Sequence, residues 1–133
     1  MLSQPNVNKH RKNLQTTATT WKCEPHMHHS STAPSVYYTN CRSLNQEKLA
    51  DLRQYTVQND PDVICLTETW FAQEIEDNFQ IPGYNLFCSY QEIWISGGAA
   101  IYIRSSMNAK VIERFNSSTV SAVWLLVRHP EMP

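Results

Sequence analysis

The chain has 133 residues, enough for one domain of ordinary size and too few for two. Its 11 basic and 12 acidic residues give a net charge of −1, which excludes a broad electrostatic attraction to nucleic acid or acidic membranes. Binding to DNA would therefore require a local patch of positive charge. No apolar run reaches the roughly 18 to 20 residues of a membrane span, and the N-terminus lacks the apolar core of a secretory signal.

Four cysteines are widely and irregularly spaced along the chain, and no two of them form a Cys-x-x-Cys pair: Cys23, Cys41, Cys65 and Cys88. Cys65 lies within an apolar run, where a cysteine usually acts as a small hydrophobe. We interpret all four as reduced thiols in preference to a disulfide framework. With no signal peptide in view, this favours an intracellular protein of the nucleus or cytoplasm. The sequence indicates no oligomeric state.

Residues 1–35 are rich in polar side chains and have few, scattered apolar ones. Such a segment cannot bury enough apolar surface to offset its ordering entropy, so we predict a disordered leader. It contains a cluster of candidate zinc ligands: Cys23, His26, His28 and His29. A structural zinc site normally needs a second ligand pair about a dozen residues away, and none follows. A flexible His-rich leader is the favoured interpretation, and the role of the cluster stays open.

The remaining residues, 36–133, are predicted to form one domain. Valine, two tyrosines and a threonine in the segment 35–40 favour a first strand. Ser43 and Gln46 have the spacing of a capping box, which predicts that a helix begins there. The segment Asn59-Asp60-Pro61 predicts its end, since the residue before a proline avoids the helical region.

The short apolar run Val63–Leu66 predicts a strand covered on both faces, as in a parallel sheet. Strand, helix and strand within about 30 residues form a βαβ unit with parallel strands. Asn40 ends the first strand and Glu68 follows the second, so both should lie at the carboxyl edge of the sheet, where open α/β sheets bind ligands.

The pair Asn40 and Glu68 has two interpretations. A carboxylate at this edge can bind Mg²⁺, which prefers a few oxygen ligands and keeps other positions for water and phosphate. The amide can donate to a phosphate oxygen or orient a nucleophile. Alternatively, Asn40 caps the following turn and Glu68 is a solvated loop carboxylate. The pattern alone leaves both open.

Further along the chain, glycine and proline alternate with apolar segments. We predict four more strands, at residues 84–88, 99–104, 110–114 and 120–127. The strand after Gly97-Gly98 begins with two alanines, which suggests a close approach of two backbones. With a single clear helix, these strands predict a mixed sheet in an α/β (α+β) fold.

Five blocks of this sequence, in order and in register, resemble the endonuclease domain of animal non-LTR retrotransposons. That domain is associated with a reverse transcriptase and belongs to the endonuclease/exonuclease/phosphatase superfamily. The blocks are Tyr38-Thr39-Asn40 with Arg42-Ser43-Leu44, the segment 61–70, Ile81-Pro82-Gly83-Tyr84, the segment 97–102, and Val123-Trp124-Leu125. The resemblance covers residues 36 to about 127. It departs mildly from the family around the glycine strand, at Ile95-Ser96 and Ala99-Ala100.

The resemblance implies a partial four-layer α/β sandwich of the DNase I-like type and Mg²⁺-dependent cleavage of a DNA phosphodiester. Glu68 matches the magnesium-binding glutamate and Asn40 the asparagine beside it. The family's later catalytic tyrosine, Asp-x-Asn motif, aspartate and histidine have no counterparts here, and His129 does not match the histidine. We therefore expect a truncated domain that binds Mg²⁺ weakly or not at all. We also expect core residues to be partly exposed: Val63, Ile64, Ile101, Ile103, Trp124 and Leu126.

Three hypotheses follow for the chain as a whole. It is an inactive truncated copy of a retrotransposon endonuclease, a nuclease completed by another chain, or a non-catalytic binding or regulatory module that reuses half of the fold. Arg42 and Arg104 are candidate contacts to DNA phosphates, with a role as surface arginines as the alternative.

Overall fold

The order of strands and helices along the chain follows the sequence-based prediction closely. The computed structural model describes residues 33–72, 76–90, 96–117, 119–128 and 130. Its elements are β1 (Val36–Asn40), α1 (Gln46–Asn59), β2 (Val63–Thr67), a short 3₁₀ helix (Glu76–Phe79), β3 (Tyr84–Ser89), β4 (Ala99–Arg104), β5 (Asn108–Asn116) and β6 (Ser121–Arg128). The Cys23/His26/His28/His29 cluster, nearly all of the proposed leader, and His129 lie outside the described residues.

Four strands form one sheet in the order β1-β2-β4-β3, and β5 pairs with β6 in a second sheet of two strands. β1 and β2 are parallel, whereas β4 runs antiparallel to both β2 and β3. The prediction of a mixed sheet built around a parallel βαβ unit is therefore confirmed. In the part of the chain that the structure describes, the outer edge of β1 has no neighbouring strand.

Helix α1 begins two residues later than the predicted capping box requires. Its N-cap is Asn45, whose side-chain oxygen accepts the backbone N–H of Lys48 at 2.9 Å. Ser43 is not a cap, because its backbone is left-handed, with φ +73°, and its N–H donates to the carbonyl of Glu68. The capping-box prediction was wrong because this long-range bond takes Ser43 out of the helix entry.

The end of α1 agrees with the prediction. Asp60 ends the helix in the left-handed region, with φ +47°, and its N–H donates to the carbonyl of Thr56. Leu49, Leu52 and Thr56 face the sheet and are buried. Leu49 and Leu52 belong to the larger of two clusters of buried apolar side chains, together with Ile64 and Leu66 of β2.

The second cluster lies between the two sheets. Val63 and Ile103 are buried there with Met107, and Leu125 and Val127 of β6 pack against them. The hairpin β5–β6 thus covers the sheet face opposite α1, giving the layers helix, sheet and sheet. A hydrogen bond between the Ser89 and Ser121 hydroxyls, 2.9 Å apart, also links the sheets.

The expectation of exposed core residues is confirmed for some positions and wrong for others. Val63, Ile64 and Ile103 are buried, because α1 covers one face of the sheet and β5–β6 the other, and Ile101 is half-buried. Trp124 and Leu126 are 61% and 48% exposed, since they lie on the outer face of the second sheet. Among the described residues, no helix is long and apolar enough to cross a membrane.

Candidate functional site at the carboxyl edge of the sheet

The parallel register places the two predicted site residues side by side. Asn40 pairs with Thr67 at the end of β1 and β2, and Glu68 follows directly. Backbone bonds continue the pairing beyond the strands: the N–H of Cys41 donates to Thr67, and that of Ser43 donates to Glu68 at 2.7 Å. These bonds tie together the loops that carry Asn40 and Glu68, as the βαβ argument predicted.

Lys48 fixes the first loop from the helix side. Its ammonium group donates to the carbonyl oxygens of Cys41, Arg42 and Ser43 at 2.7, 2.9 and 3.0 Å. Three donors of one side chain thus hold three successive peptide groups. Sequence reasoning missed this residue, since a lysine in the first turn of a helix carries no signal of such a role.

Asn40 caps the turn that follows it and also keeps its amide N–H₂ group available. Its side-chain oxygen accepts the backbone N–H of Arg42 at 3.1 Å. Within the described residues its side-chain nitrogen has no hydrogen-bond partner, and the residue is exposed. The turn therefore fixes the amide plane and leaves two donors free for a ligand. The two interpretations of Asn40 are thus compatible.

Glu68 is held through one of its two carboxylate oxygens. Oε2 accepts the indole N–H of Trp70 at 3.0 Å and the backbone N–H of Gly97 at 3.3 Å. Oε1 has no hydrogen-bond partner within the described part of the chain. Sequence reasoning missed the contributions of Trp70 and Gly97; the only available signal was the position of Trp70 two residues after Glu68.

The backbone at this edge is strained. Arg42, Ser43, Glu68 and Trp70 all have positive φ angles, of 40°, 73°, 55° and 55°. Each such non-glycine residue costs on the order of 1–3 kcal/mol and persists only where its surroundings over-determine it. Here the bonds between the loops supply that constraint. Strain of this kind is commonly concentrated at functional sites.

Gly98 permits the close approach that the sequence suggested. Its φ is +83°, and a Cβ at this position would lie 2.5 Å from the Thr69 hydroxyl oxygen. The carbonyl oxygens of Gly97 and Gly98 accept the N–H groups of Trp70 and Thr69 at 2.9 and 3.4 Å. Thus the segment after β2 is paired on both sides, and Glu68 lies between two fixed loops.

A cleft of about 370 Å³ lies beside the site, between the open edge of β1 and helix α1. Asn40, Cys41, Lys48 and Asp51 line it together with apolar side chains, but Glu68 does not. Burial raises the pKa of the Cys41 thiol, which disfavours the nucleophilic thiolate. Cys41 is therefore a weaker candidate for chemistry at this edge than the two predicted residues, Asn40 and Glu68. The described cysteines, Cys41, Cys65 and Cys88, are free thiols.

The two candidate DNA-binding arginines lie at different places. Arg42 is exposed in the loop after β1, beside Asn40. Arg104 ends β4, where the antiparallel register puts it near Asp62, at the opposite edge from Glu68. There its guanidinium group forms ion pairs with Asp60 and Asp62. The structure brings only Arg42 to the candidate site, and the DNA-binding role of both arginines stays a prediction.

Comparisons with known proteins bear on the fold and the family of the chain. No curated protein sequence matches the chain significantly. Among solved structures, AP endonuclease LMAP from Leishmania major is similar, with a TM-score of 0.52 and 20% sequence identity over 59% of this chain and 27% of LMAP. The APE2 catalytic domain from Xenopus laevis is 23% identical, with a TM-score of 0.46, over 57% of this chain and 26% of its own.

The present chain thus spans about a quarter of the length of these two proteins. At such low identity the likeness to LMAP shows a shared DNase I-like fold. The profile of the Endonuclease/Exonuclease/phosphatase family matches residues 38–130, which include both loops of the candidate site. The chain therefore belongs to the endonuclease/exonuclease/phosphatase family.

Proposed function

We propose that the chain is the front part of a Mg²⁺-dependent DNA phosphodiesterase domain derived from a non-LTR retrotransposon. The observation that carries the proposal is the position of Asn40 and Glu68 at the paired carboxyl ends of two parallel strands, where the described residues leave Oε1 of Glu68 and the amide nitrogen of Asn40 without hydrogen-bond partners. A metal ligand next to a phosphate donor is the arrangement that phosphodiester hydrolysis requires.

The donor set fits magnesium. Among the described residues, no group of three His, Cys, Asp or Glu side chains comes together, and Glu68 is the carboxylate that we propose as the ligand. Mg²⁺ is commonly bound through one or two carboxylates, with water and substrate phosphate as its other ligands. When bound, the metal ion would neutralise charge on the phosphate. The Asn40 amide would donate to a phosphate oxygen and orient it.

The retrotransposon origin rests on the five sequence blocks, above all on Tyr38-Thr39-Asn40 and Glu68-Thr69-Trp70. DNA as the substrate class rests on the same resemblance. LMAP is named as an AP endonuclease, which supports DNA as the parent substrate. Arg42, exposed beside Asn40, is the residue of this edge that we propose to contact a DNA phosphate.

A polypeptide of these 133 residues is proposed to bind Mg²⁺ weakly and to leave DNA uncleaved. Hydrolysis needs a base that activates water and groups that stabilise the developing charge, and such groups fail together when one is missing. By the sequence resemblance, the family's later catalytic tyrosine, Asp-x-Asn motif, aspartate and histidine have no counterparts in these residues.

Metal binding tests the proposal directly. Mn²⁺, as a paramagnetic substitute for Mg²⁺, should bind the 133-residue chain saturably and be displaced by excess Mg²⁺. Glu68→Gln removes the charged ligand at constant size and should abolish saturable binding. Glu47→Gln, in the first turn of α1, is the matched control and should bind as the unchanged chain does.

A plasmid-nicking assay in Mg²⁺ separates the alternatives. No nicking above a mock purification is expected from this chain. Nicking that is lost in Glu68→Ala would overturn the proposed inactivity and show that these residues suffice for catalysis. If the chain folds but binds no metal, the metal site is refuted and a non-catalytic binding or regulatory module becomes the better interpretation.

A further inference from the structure

Trp70 is exposed and yet closely tied to Glu68. Its indole N–H donates to Oε2 of Glu68, two residues earlier in the chain, at 3.0 Å. We propose that Trp70 is a positioning residue that sets the orientation of the Glu68 carboxylate for a divalent cation. This inference rests on the proposed function, in which Glu68 binds the metal ion.

Two donors converge on one oxygen. The indole of Trp70 and the backbone N–H of Gly97 both reach Oε2, and the N–H of Trp70 in turn donates to the carbonyl of Gly97 at 2.9 Å. The three residues therefore form a closed set of hydrogen bonds around one side of the carboxylate. This arrangement fixes the carboxylate plane and leaves Oε1 free, which a single donor would not achieve.

Core packing does not account for the position of Trp70. Its side chain is 36% exposed and belongs to neither cluster of buried apolar residues, whereas the next residue, Phe71, is buried. Trp70 and Glu68 also both adopt left-handed backbone conformations, with φ of +55°. An unfavourable backbone at an exposed tryptophan requires a compensating interaction, and the bond to Glu68 supplies one.

The consequence for the metal ion is a carboxylate that needs no reordering before it binds. Hydrogen-bond partners of a ligating group orient it, and their loss commonly lowers metal affinity by about 10- to 100-fold. Trp70→Phe keeps an aromatic ring and removes the N–H donor. Since Gly97 still holds Oε2, we expect an approximately tenfold loss of Mn²⁺ affinity, at the lower end of that range.

Trp70→His provides a rescue variant. The Nε2 of histidine lies as many bonds from Cβ as the indole nitrogen of tryptophan, so it can donate to the same oxygen. At about pH 8 the imidazole is mainly neutral, and no new positive charge is introduced. This variant should recover part of the lost affinity. Trp124→Phe, on the second sheet, is the matched control and should leave the affinity unchanged.

Indole N–H resonances test the contact without any metal ion. In ¹⁵N-edited NMR spectra of the 133-residue chain, the Trp70 resonance is the one that disappears in Trp70→Phe. It should shift when Glu68→Ala removes the acceptor and stay in place in Glu47→Ala. An unmoved resonance would overturn the positioning role, whether or not metal binds.

The Mn²⁺ titration is the second test of the positioning role. Saturable Mn²⁺ binding that is equally strong in Trp70→Phe and in the unchanged chain would also overturn the inference, while leaving the proposed function intact. A chain that binds no Mn²⁺ would refute the proposed metal site. In that case the positioning role of Trp70 toward a metal ion is also refuted, and the shift of the indole resonance reports only the hydrogen bond to Glu68.

Discussion

Gly98→Ala should destabilise the fold more than the same change at another glycine with the same backbone conformation. Gly98 has φ +83°, and an added Cβ would lie 2.5 Å from the Thr69 hydroxyl oxygen and 3.3 Å from the carbonyl oxygen of Ser89. Gly83 has φ +84°, and an added Cβ there would meet nothing within 4 Å. The two substitutions therefore share a backbone cost and differ in steric contact.

The magnitudes follow from these contacts. A left-handed conformation costs an alanine about 1–2 kcal/mol, partly offset by the reduced freedom of the unfolded chain. Gly83→Ala should therefore lower the free energy of unfolding by about 1 kcal/mol. Overpacking against Thr69 and the backbone of Ser89 adds about 1–3 kcal/mol, so we expect about 2–4 kcal/mol for Gly98→Ala. That is a large part of a typical domain stability of about 5–15 kcal/mol.

Urea unfolding followed by far-UV circular dichroism measures both losses. Thr69→Ala removes the hydroxyl that the new Cβ would contact, so a double-mutant cycle isolates this contact. The excess cost of Gly98→Ala should shrink in the Thr69→Ala background. Equal losses for the two glycine variants, or an excess that Thr69→Ala leaves unchanged, would refute the reasoning.

Two further predictions concern the edges of the fold. Partial burial raises the pKa of Asp62, but hydrogen bonds from Ser35 and Arg104 outweigh burial and lower this pKa. The ionised Asp62 should therefore stabilise the fold above about pH 4, and this stabilisation should be lost as the pH falls through the lowered pKa. Asp62→Asn should thus lower the unfolding midpoint at pH 7 and converge with the unchanged chain in acid; an equal loss at both pH values would contradict this reasoning. Trp124→Lys, on the exposed face of the second sheet, should reduce binding of a hydrophobic dye and raise solubility at nearly constant stability; unchanged dye binding would contradict an apolar patch centred there.

The strands and the parallel βαβ unit could be predicted because their signals are local. A short apolar run between Pro61 and Thr67 reads as a buried strand, and the left-handed cap at Asp60 agrees with the helix end predicted from the following proline. The prediction of the helix start was wrong because the deciding interaction is not local. Ser43 has a local capping pattern, but its N–H is bound by the carbonyl of Glu68, 25 positions away. Such competition from a distant segment is invisible to a pattern of neighbours.

The candidate site likewise has a part that could be predicted from local signals and a part that could not. Asn40 and Glu68 could be placed together from strand ends alone, because a parallel register brings the carboxyl ends to one edge. The contacts that orient them could not be predicted. They depend on the rotamers of Trp70 and Lys48 and on a backbone group of Gly97, which lies 29 residues from Glu68.

Exposure of the inner sheet face was overestimated because the hairpin β5–β6 provides a second layer within the same chain. Val63 and Ile103 are buried beneath this hairpin. At the carboxyl edge of the first sheet, backbone hydrogen bonds connect three separate segments, residues 41–44, 68–70 and 97–98. Among the described residues, Trp70 and Gly97 donate the hydrogen bonds that the Glu68 carboxylate accepts. In the proposed function, metal binding and catalysis are separable properties: the former would depend on the hydrogen bonds that orient Glu68, and the latter would also require a base and charge-stabilising groups. Measuring Mn²⁺ affinity and DNA nicking on the same preparation would distinguish metal binding from catalysis.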